Sequence, residues 1–267
     1  IEELIKNNLK IKNIAILVRA SYQTRSFEER FIKIGLPYKI IGGTKFYERL
    51  EIRDALAYLR VVVSDFDDLA LERIINTPKR GLGQKSLQKI EIFARTRNIS
   101  LLQACRIMTA ESKFSTSTNN ALTKLLKDIE MWREKKNHCS STEIAEMVLE
   151  ESGYVEMWQK DKSIEAEGRL ENLKELVNAI AEFDNLNGFL EHIQLVMDNN
   201  NSNKEDSINL LTLHAAKGLE YQCVFLPGWE EEIFPNKKSL EEKQIDGLEE
   251  ERRLAYVGIT RAKEQLY

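Results

Sequence analysis

A polar turn between two apolar segments holds four residues whose types fit ligand chemistry: His214, Lys217, Gly218 and Glu220. In α/β proteins, ligands bind in turns that follow strands at a sheet edge. A lysine in such a turn can meet a phosphate, and a histidine can meet a base or a backbone phosphate. A glutamate can bind a sugar hydroxyl through a charge-assisted hydrogen bond. Taken alone, the same residues also fit a surface loop whose charges are solvated.

A second candidate is Arg261, in the segment Gly-Ile-Thr-Arg-Ala at residues 258–262. Residues 249–257 show helical periodicity with an acidic first turn, which suits the positive N-terminus of a helix. Gly258 is predicted to end this helix, so that Arg261 projects from the connection to a final strand. An arginine held rigidly there can reach a transferring phosphoryl group. Considered alone, Arg261 fits better a helix-terminal residue that caps carbonyl groups.

A glycine loop at residues 77–83 reads Thr-Pro-Lys-Arg-Gly-Leu-Gly. Gly81 and Gly83 allow a backbone to approach phosphates closely, and a following helix would direct free N–H groups at them. Lys79 and Arg80 add attraction that does not depend on base sequence. The alternative is a plain turn between two helices.

Two neighbouring aromatic residues, Phe46 and Tyr47, are candidates for stacking on a base. Buried packing is at least as good an interpretation, because Ile52 and Leu56 begin an apolar helical face just beyond them.

Strand and helix patterns alternate at both ends of the chain. Ile14–Val18 and Tyr38–Ile41 read as strands with a helical segment between them, and α/β patterning resumes at Ile208. From Ile52, strand signals vanish for roughly 140 residues, and the polar segment at residues 198–207 is the clearest linker. The pattern predicts an α/β fold in which a large all-helical insertion interrupts one domain. The predicted parts are 1–46 and 206–267 for the α/β domain and 47–205 for the insertion.

Composition excludes several classes of protein. No run of about 18 apolar residues is present, so no membrane span is expected, and the three cysteines lie too far apart for a disulfide framework or a zinc site. A reducing cytoplasm is therefore the predicted location. The net charge of −4 argues against a simple basic nucleic-acid-binding domain, and the acidic run at residues 241–251 is predicted to be a solvated face.

In this order, residues 210–220 and 249–262 closely resemble the closing motifs of UvrD/PcrA/Rep-type superfamily 1 DNA helicases. Residues 14–25 resemble a strand and a DNA-contacting segment of that family. Residues 42–54 resemble the entry to its inserted domain, and residues 77–83 resemble a duplex-contacting glycine loop. The resemblance covers nearly the whole chain.

The resemblance implies a fold and a set of roles. In such helicases two RecA-like parallel-sheet domains clamp ATP, and the second is interrupted by a helical domain. Arg261 would contact the γ-phosphate as the catalytic arginine. Glu220 would bind the sugar or phosphate region of the nucleotide, with Lys217 and Gly218 in the same turn. The implied DNA contacts are Arg19, Ser21, His214, Phe46, Tyr47, Lys79, Arg80, Gly81 and Gly83.

The chain departs from the family pattern at two positions. Ser21 stands where the family usually has asparagine, so its side chain reaches less far toward DNA. Glu232 replaces a glycine in a segment that normally reads Glu-Glu-Gly-hydrophobic-Phe-Pro, so an altered turn is expected there.

No Gly-x-x-x-x-Gly-Lys-Ser/Thr phosphate loop occurs in the 267 residues, and no convincing metal-binding acidic motif follows a strand. Because phosphoryl transfer needs both, the chain is expected to be an inactive fragment of an ATP-dependent 3′–5′ helicase. The first motor domain would precede Ile1 and hold the Mg²⁺ of ATP, and a C-terminal portion would follow Tyr267. The expected partners are that domain, single-stranded DNA and a duplex junction, with no membrane.

Two alternatives stay open. The chain can belong to a helicase–nuclease subunit or a degenerate paralogue that binds DNA without moving on it. It can also be a protein-interaction module whose helical insertion is the working surface.

Overall fold

The computed structural model describes residues 1–6, 8–199 and 206–267. The chain divides into two compact units, Ile1–Arg49 with Leu195–Tyr267, and Leu50–Gln194. The sequence placed these divisions after residues 46 and 205, whereas the units divide after Arg49 and Gln194. Most of the predicted linker at residues 198–207 lies outside the described residues.

The first unit is built on a five-stranded sheet in which every pairing is parallel. Its strand order is β2-β3-β1-β4-β5. The strands are β1 (Ile14–Val18), β2 (Tyr38–Ile41), β3 (Ile208–Thr212), β4 (Tyr221–Phe225) and β5 (Ala262–Leu266). The α/β parallel-sheet class predicted from the sequence is confirmed.

Both faces of the sheet are covered, which explains why the central strand β1 is apolar throughout. Ala15 and Leu17 face one layer, in a core with Leu254 and Phe234. Ile16 and Val18 face the other, in a core with Phe31. The helices of this unit are α1 (Glu2–Lys6), α2 (Thr24–Lys33) and α12 (Lys237–Ile259).

The described residues of the second unit form helices and no strand, as the loss of strand signals predicted. The chain builds α3 (Leu50–Val63), α4 (Asp68–Ile74), α5 (Gln84–Arg97), α6 (Leu101–Ala110), α7 (Thr116–Lys135), α8 (Ser141–Glu151), α9 (Tyr154–Lys160), α10 (Ile164–Ile180) and α11 (Leu186–Asn199). Side-chain oxygens of Ser100, Ser115 and Ser140 cap the N-termini of α6, α7 and α8.

An aromatic cluster fixes the centre of the second unit. Tyr58 packs against Trp132 and Tyr154, and all three are completely buried. The indole N–H of Trp132 donates to Glu151, so its one polar atom is satisfied. Among the described helices, none is long and apolar enough to cross a membrane.

Candidate functional site

The strand register separates the candidate residues into two groups at opposite ends of the sheet. β1 and β3 end side by side, with Val18 opposite Thr212, so Arg19 and His214 follow adjacent carboxyl ends. β4 and β5 begin side by side, with Tyr221 opposite Ala262. Glu220 and Arg261 therefore precede adjacent amino ends.

The turn after β3 crosses the sheet from one end to the other. Because β3 and β4 both run parallel to β1, the connection must return to the amino ends before β4 starts. The Ala216 N–H donates to Thr212 O at 3.1 Å, and the Leu219 N–H donates to Ala216 O at 3.1 Å. Gly218 has φ +85°, a conformation that favours glycine. Lys217 is exposed beside it.

At the amino ends of β4 and β5, Arg261 binds the backbone of Leu219, the residue before Glu220. Its Nη1 donates to Leu219 O at 3.0 Å and its Nε to Val257 O at 2.9 Å. This is the carbonyl-capping arrangement that the sequence left open, and it also fixes the guanidinium next to Glu220. The Glu220 carboxylate lies 3.4 Å from Lys263 Nζ, with both side chains more than half exposed.

The sequence predicted that the last helix ends at Gly258, and this prediction is wrong. Helix α12 continues to Ile259 and is capped at Thr260. Gly258 is buried, and a Cβ there would lie 2.7 Å from Leu213 Cδ2 and 3.3 Å from Leu226 Cδ2. The glycine therefore permits close packing of the helix on the sheet.

At the carboxyl ends, Arg19 forms an ion pair with Glu251. Arg19 Nη2 lies 2.6 Å from Glu251 Oε1, and Arg19 Nε lies 2.9 Å from Glu251 Oε2. Glu251 is only 2% exposed and also accepts the Asn236 N–H at 3.1 Å. Arg19 is therefore held by a buried carboxylate at this end of the sheet, and its direct contact with DNA stays a prediction.

The sequence pattern had indicated that Glu251 belongs to a solvated acidic run, whereas the residue is buried. The available signal was its position three residues before Leu254 and seven before Gly258, which puts all three on one helical face. Leu254 and Gly258 are buried, so that face packs on the sheet.

His214 is exposed at the start of the turn. Partial desolvation and the nearby Arg19 cation lower the pKa of its imidazole below the ordinary histidine value. His214 is therefore neutral at neutral pH and gains its charge only below the ordinary histidine pKa. Ser21 lies two residues beyond Arg19, and its carbonyl accepts Arg49 Nη2 at 3.0 Å.

Phe46 and Tyr47 are buried packing residues, which corrects the prediction that their rings stack on a base. They are 0% and 3% exposed, with their rings in edge contact at 5.1 Å. The Arg49 guanidinium lies over the Phe46 ring, and the Tyr47 hydroxyl donates to Glu29. The apolar face that begins with Ile52 was the sequence signal for this burial.

In the second unit, Arg80 braces the glycine loop from within. Its Nη1 donates to Ile74 O at 2.8 Å, and its Nη2 donates to the Tyr58 hydroxyl at 2.7 Å and to Ser152 O at 3.2 Å. These acceptors fix the guanidinium within the loop, and the phosphate attraction expected of Arg80 stays a prediction.

Lys79, Gly81 and Gly83 of the loop are exposed, whereas Leu82 is buried. Gly81 has φ +76°, and a Cβ there would lie 3.0 Å from Thr118 Oγ1. Gly83 is the N-cap residue of α5, and Lys79 and Lys85 are exposed on either side. The loop thus presents two cations and the start of a helix to solvent.

Glu232, at the position where the resemblance expects a glycine, has a left-handed backbone. Its φ is +72°, in the region that non-glycine residues rarely adopt. Its carboxylate lies 2.7 Å from Lys237 Nζ. This conformation carries a cost in backbone strain at a glutamate, and the altered turn stays a prediction.

A resident metal ion does not fit this arrangement. Across residues 1–6, 8–199 and 206–267, no group of three His, Cys, Asp or Glu side chains is placed to hold one.

A parallel α/β sheet with charged residues at both ends, interrupted by a helical unit, is the architecture of a RecA-like motor domain. The chain matches the family described as UvrD-like helicase C-terminal domain over residues 1–267, and it belongs to that family.

Curated relatives agree with the family. The chain is 52% identical over 257 residues to DNA helicase II of Rickettsia typhi, covering 96% of the chain and 39% of that protein. It is 44% identical over 271 residues to ATP-dependent DNA helicase PcrA of Bacillus subtilis, covering 97% of the chain and 36% of that protein. The chain thus spans less than half the length of these relatives, and the family resemblance is confirmed.

Proposed function

We propose that the chain is the second motor domain, with its helical insertion, of an ATP-dependent DNA helicase that moves 3′ to 5′ on single-stranded DNA and unwinds duplex. One observation carries the proposal. The pairing of Tyr221 with Ala262 brings Glu220 and Arg261 together at one end of the sheet, while the same turn begins with His214 at the other. The printed names of the relatives, DNA helicase II and PcrA, support it.

The amino ends of β4 and β5 form one side of the proposed nucleotide site. Glu220 binds the sugar or phosphate region, with Lys217 and Gly218 in the same turn, and Arg261 meets the γ-phosphate. Phosphoryl transfer also needs a phosphate-binding loop, ligands for the Mg²⁺ of ATP and a residue that positions the attacking water. We assign these to the first motor domain, which completes the site from the opposite side.

The proposed DNA contacts lie in each unit separately. In the first unit they are His214 and Ser21 at the carboxyl ends of the sheet, with Arg19 held behind them by Glu251. In the second unit, Lys79, Gly81 and Gly83 present one cation and a helix start to the backbone of a duplex. A role in DNA repair or replication, in the cytoplasm, follows from this activity.

The proposal is tested by comparing the 267-residue chain with the intact protein. Purified alone, the chain should hydrolyse no ATP above background with or without single-stranded DNA, because it carries only one side of the site. The intact protein should show steady turnover that single-stranded DNA stimulates. DNA-stimulated turnover by the isolated chain would refute the division of the site. An intact protein that binds DNA without turnover would instead favour a DNA-binding remnant.

His214 makes DNA binding depend on pH. Because the pKa of His214 lies below its ordinary value, the residue gains positive charge only as the pH falls below the ordinary histidine range. The affinity for single-stranded DNA should rise as the pH is lowered into that range. The slope of log affinity against log salt should steepen by about 0.7, the effect of one added phosphate contact.

Fluorescence anisotropy with a labelled oligonucleotide measures both effects. The His214→Gln variant should lose them, whereas His138→Gln, at an exposed position in the second unit, should keep them. Identical pH profiles for wild type and His214→Gln would remove His214 from the DNA interface.

A further inference from the structure

We propose that Glu251 is a positioning residue of the motor, which holds Arg19 in place and connects the DNA end of the sheet to the helix that precedes Arg261. The inference rests on the proposed function and extends it to a residue outside both sets of candidate contacts.

Arg19 and Glu251 form a bidentate ion pair. Both Glu251 oxygens take part, since Oε1 lies 2.6 Å from Arg19 Nη2 and Oε2 lies 2.9 Å from Arg19 Nε. Bidentate pairs of this kind fix orientation as well as charge. The Glu251 side chain is 2% exposed and that of Arg19 is 19% exposed, so solvent screens the pair weakly.

Glu251 also binds the start of its own helix. Its Oε2 accepts the N–H of Asn236, the N-cap residue of α12. Helix α12 bends at Gln244, which has non-helical φ and ψ. The carboxylate therefore joins three parts of the first unit: the end of β1, the first turn of α12 and the segment of α12 after the bend.

The segment after the bend connects the two ends of the sheet. Arg261 follows Glu251 by ten residues, about 15 Å at the rise of an α-helix. Between them, Gly258 packs so closely on Leu213 and Leu226 that even a methyl group would collide. Arg261 then binds Leu219 O, next to Glu220. A displacement of Arg19 by DNA thus reaches the nucleotide side through a short, closely packed helix.

The test is the Glu251→Gln substitution in the intact protein. Glutamine keeps the shape and an acceptor for Asn236 but removes the charge that orients Arg19. We expect kcat at saturating single-stranded DNA to fall about tenfold, while the KM for ATP stays within about twofold. Glu249→Gln is the matched control, since Glu249 is half-exposed and pairs with the exposed Arg252. It should leave kcat unchanged.

A double-substitution cycle separates positioning from general destabilisation. If Glu251 acts through Arg19, Glu251→Gln in an Arg19→Ala background should lower kcat by less than about twofold further. Additive losses, or an unchanged kcat in Glu251→Gln, would overturn the proposal. If Glu251→Gln does not fold, Glu251→Asp keeps the charge at shorter reach and should show a smaller loss with the same non-additivity. A wild-type protein without DNA-stimulated turnover would contradict the helicase assignment instead.

Discussion

Replacing Arg261 with alanine is expected to lower the DNA-stimulated ATP turnover of the intact protein by about three orders of magnitude. In phosphoryl transfer, negative charge spreads over the equatorial oxygens of the γ-phosphoryl group, and a fixed guanidinium stabilises it. Arg261 is already fixed, because three of its nitrogens donate to Val257, Leu219 and Thr260. ATP binding should persist, since other contacts hold the sugar and the remaining phosphates.

The same hydrogen bonds mean that alanine also removes a structural cap. Turnover must therefore be compared with ATP affinity, measured by titration with a fluorescent nucleotide, and with the melting temperature. A loss confined to kcat supports a role at the γ-phosphate. Arg252→Ala is the control, because that side chain is 66% exposed and pairs with Glu249. Unchanged turnover in Arg261→Ala would remove Arg261 from the active site.

The class of fold could be predicted from periodicity because each strand and helix is decided by a local pattern. The apolar run of β1 and the helical spacing from Ile52 each occupy one continuous segment. The separation of His214 from Glu220 also follows from simple geometry, once β3 and β4 are known to be parallel. Motif order alone placed both residues in one turn without showing that the turn crosses the sheet.

The partners of three arginines could not be predicted in this way. Arg19 pairs with a glutamate 232 positions away, and Arg80 donates to a carbonyl 72 positions away. Arg49 donates to a hydroxyl 25 positions away. In the sequence, each of these cations looks available to bind a phosphate, because its acceptor comes from a distant part of the chain. The periodicity of the sequence does not predict such pairings. Motif resemblance therefore overstates how many cations are free.

Removing Glu28 is expected to destabilise the first unit by about 3 kcal/mol. Glu28 is 3% exposed. Its carboxylate binds polar groups from α2, β2 and the segment that leads into the helical insertion. Its oxygens accept the Thr24 hydroxyl at 2.7 Å, the Tyr38 hydroxyl at 3.3 Å and the Phe46 N–H at 3.2 Å. The Arg49 guanidinium lies nearby and donates to Thr24.

The Phe46 N–H decides the size of this effect. Thr24 has a second acceptor in Ser21 O, and Tyr38 is only half-buried, so both hydroxyls can find other partners. Phe46 is completely buried, and its N–H loses both acceptor oxygens in Glu28→Ala. The nearby Arg49 cation also loses the attraction of the Glu28 carboxylate in the same step.

Hydrogen exchange at the β1 and β3 amides measures the free energy of unfolding of the first unit without interference from the second. Glu28→Gln keeps one acceptor for the Phe46 N–H but carries no charge. The loss in the free energy of unfolding should therefore be about half that of Glu28→Ala. Glu48→Ala, at an exposed position in the turn beside Tyr47, should change the free energy by less than about 0.5 kcal/mol. A Glu28→Ala variant as stable as Glu48→Ala would show that Phe46 and Tyr47 are held by apolar packing alone.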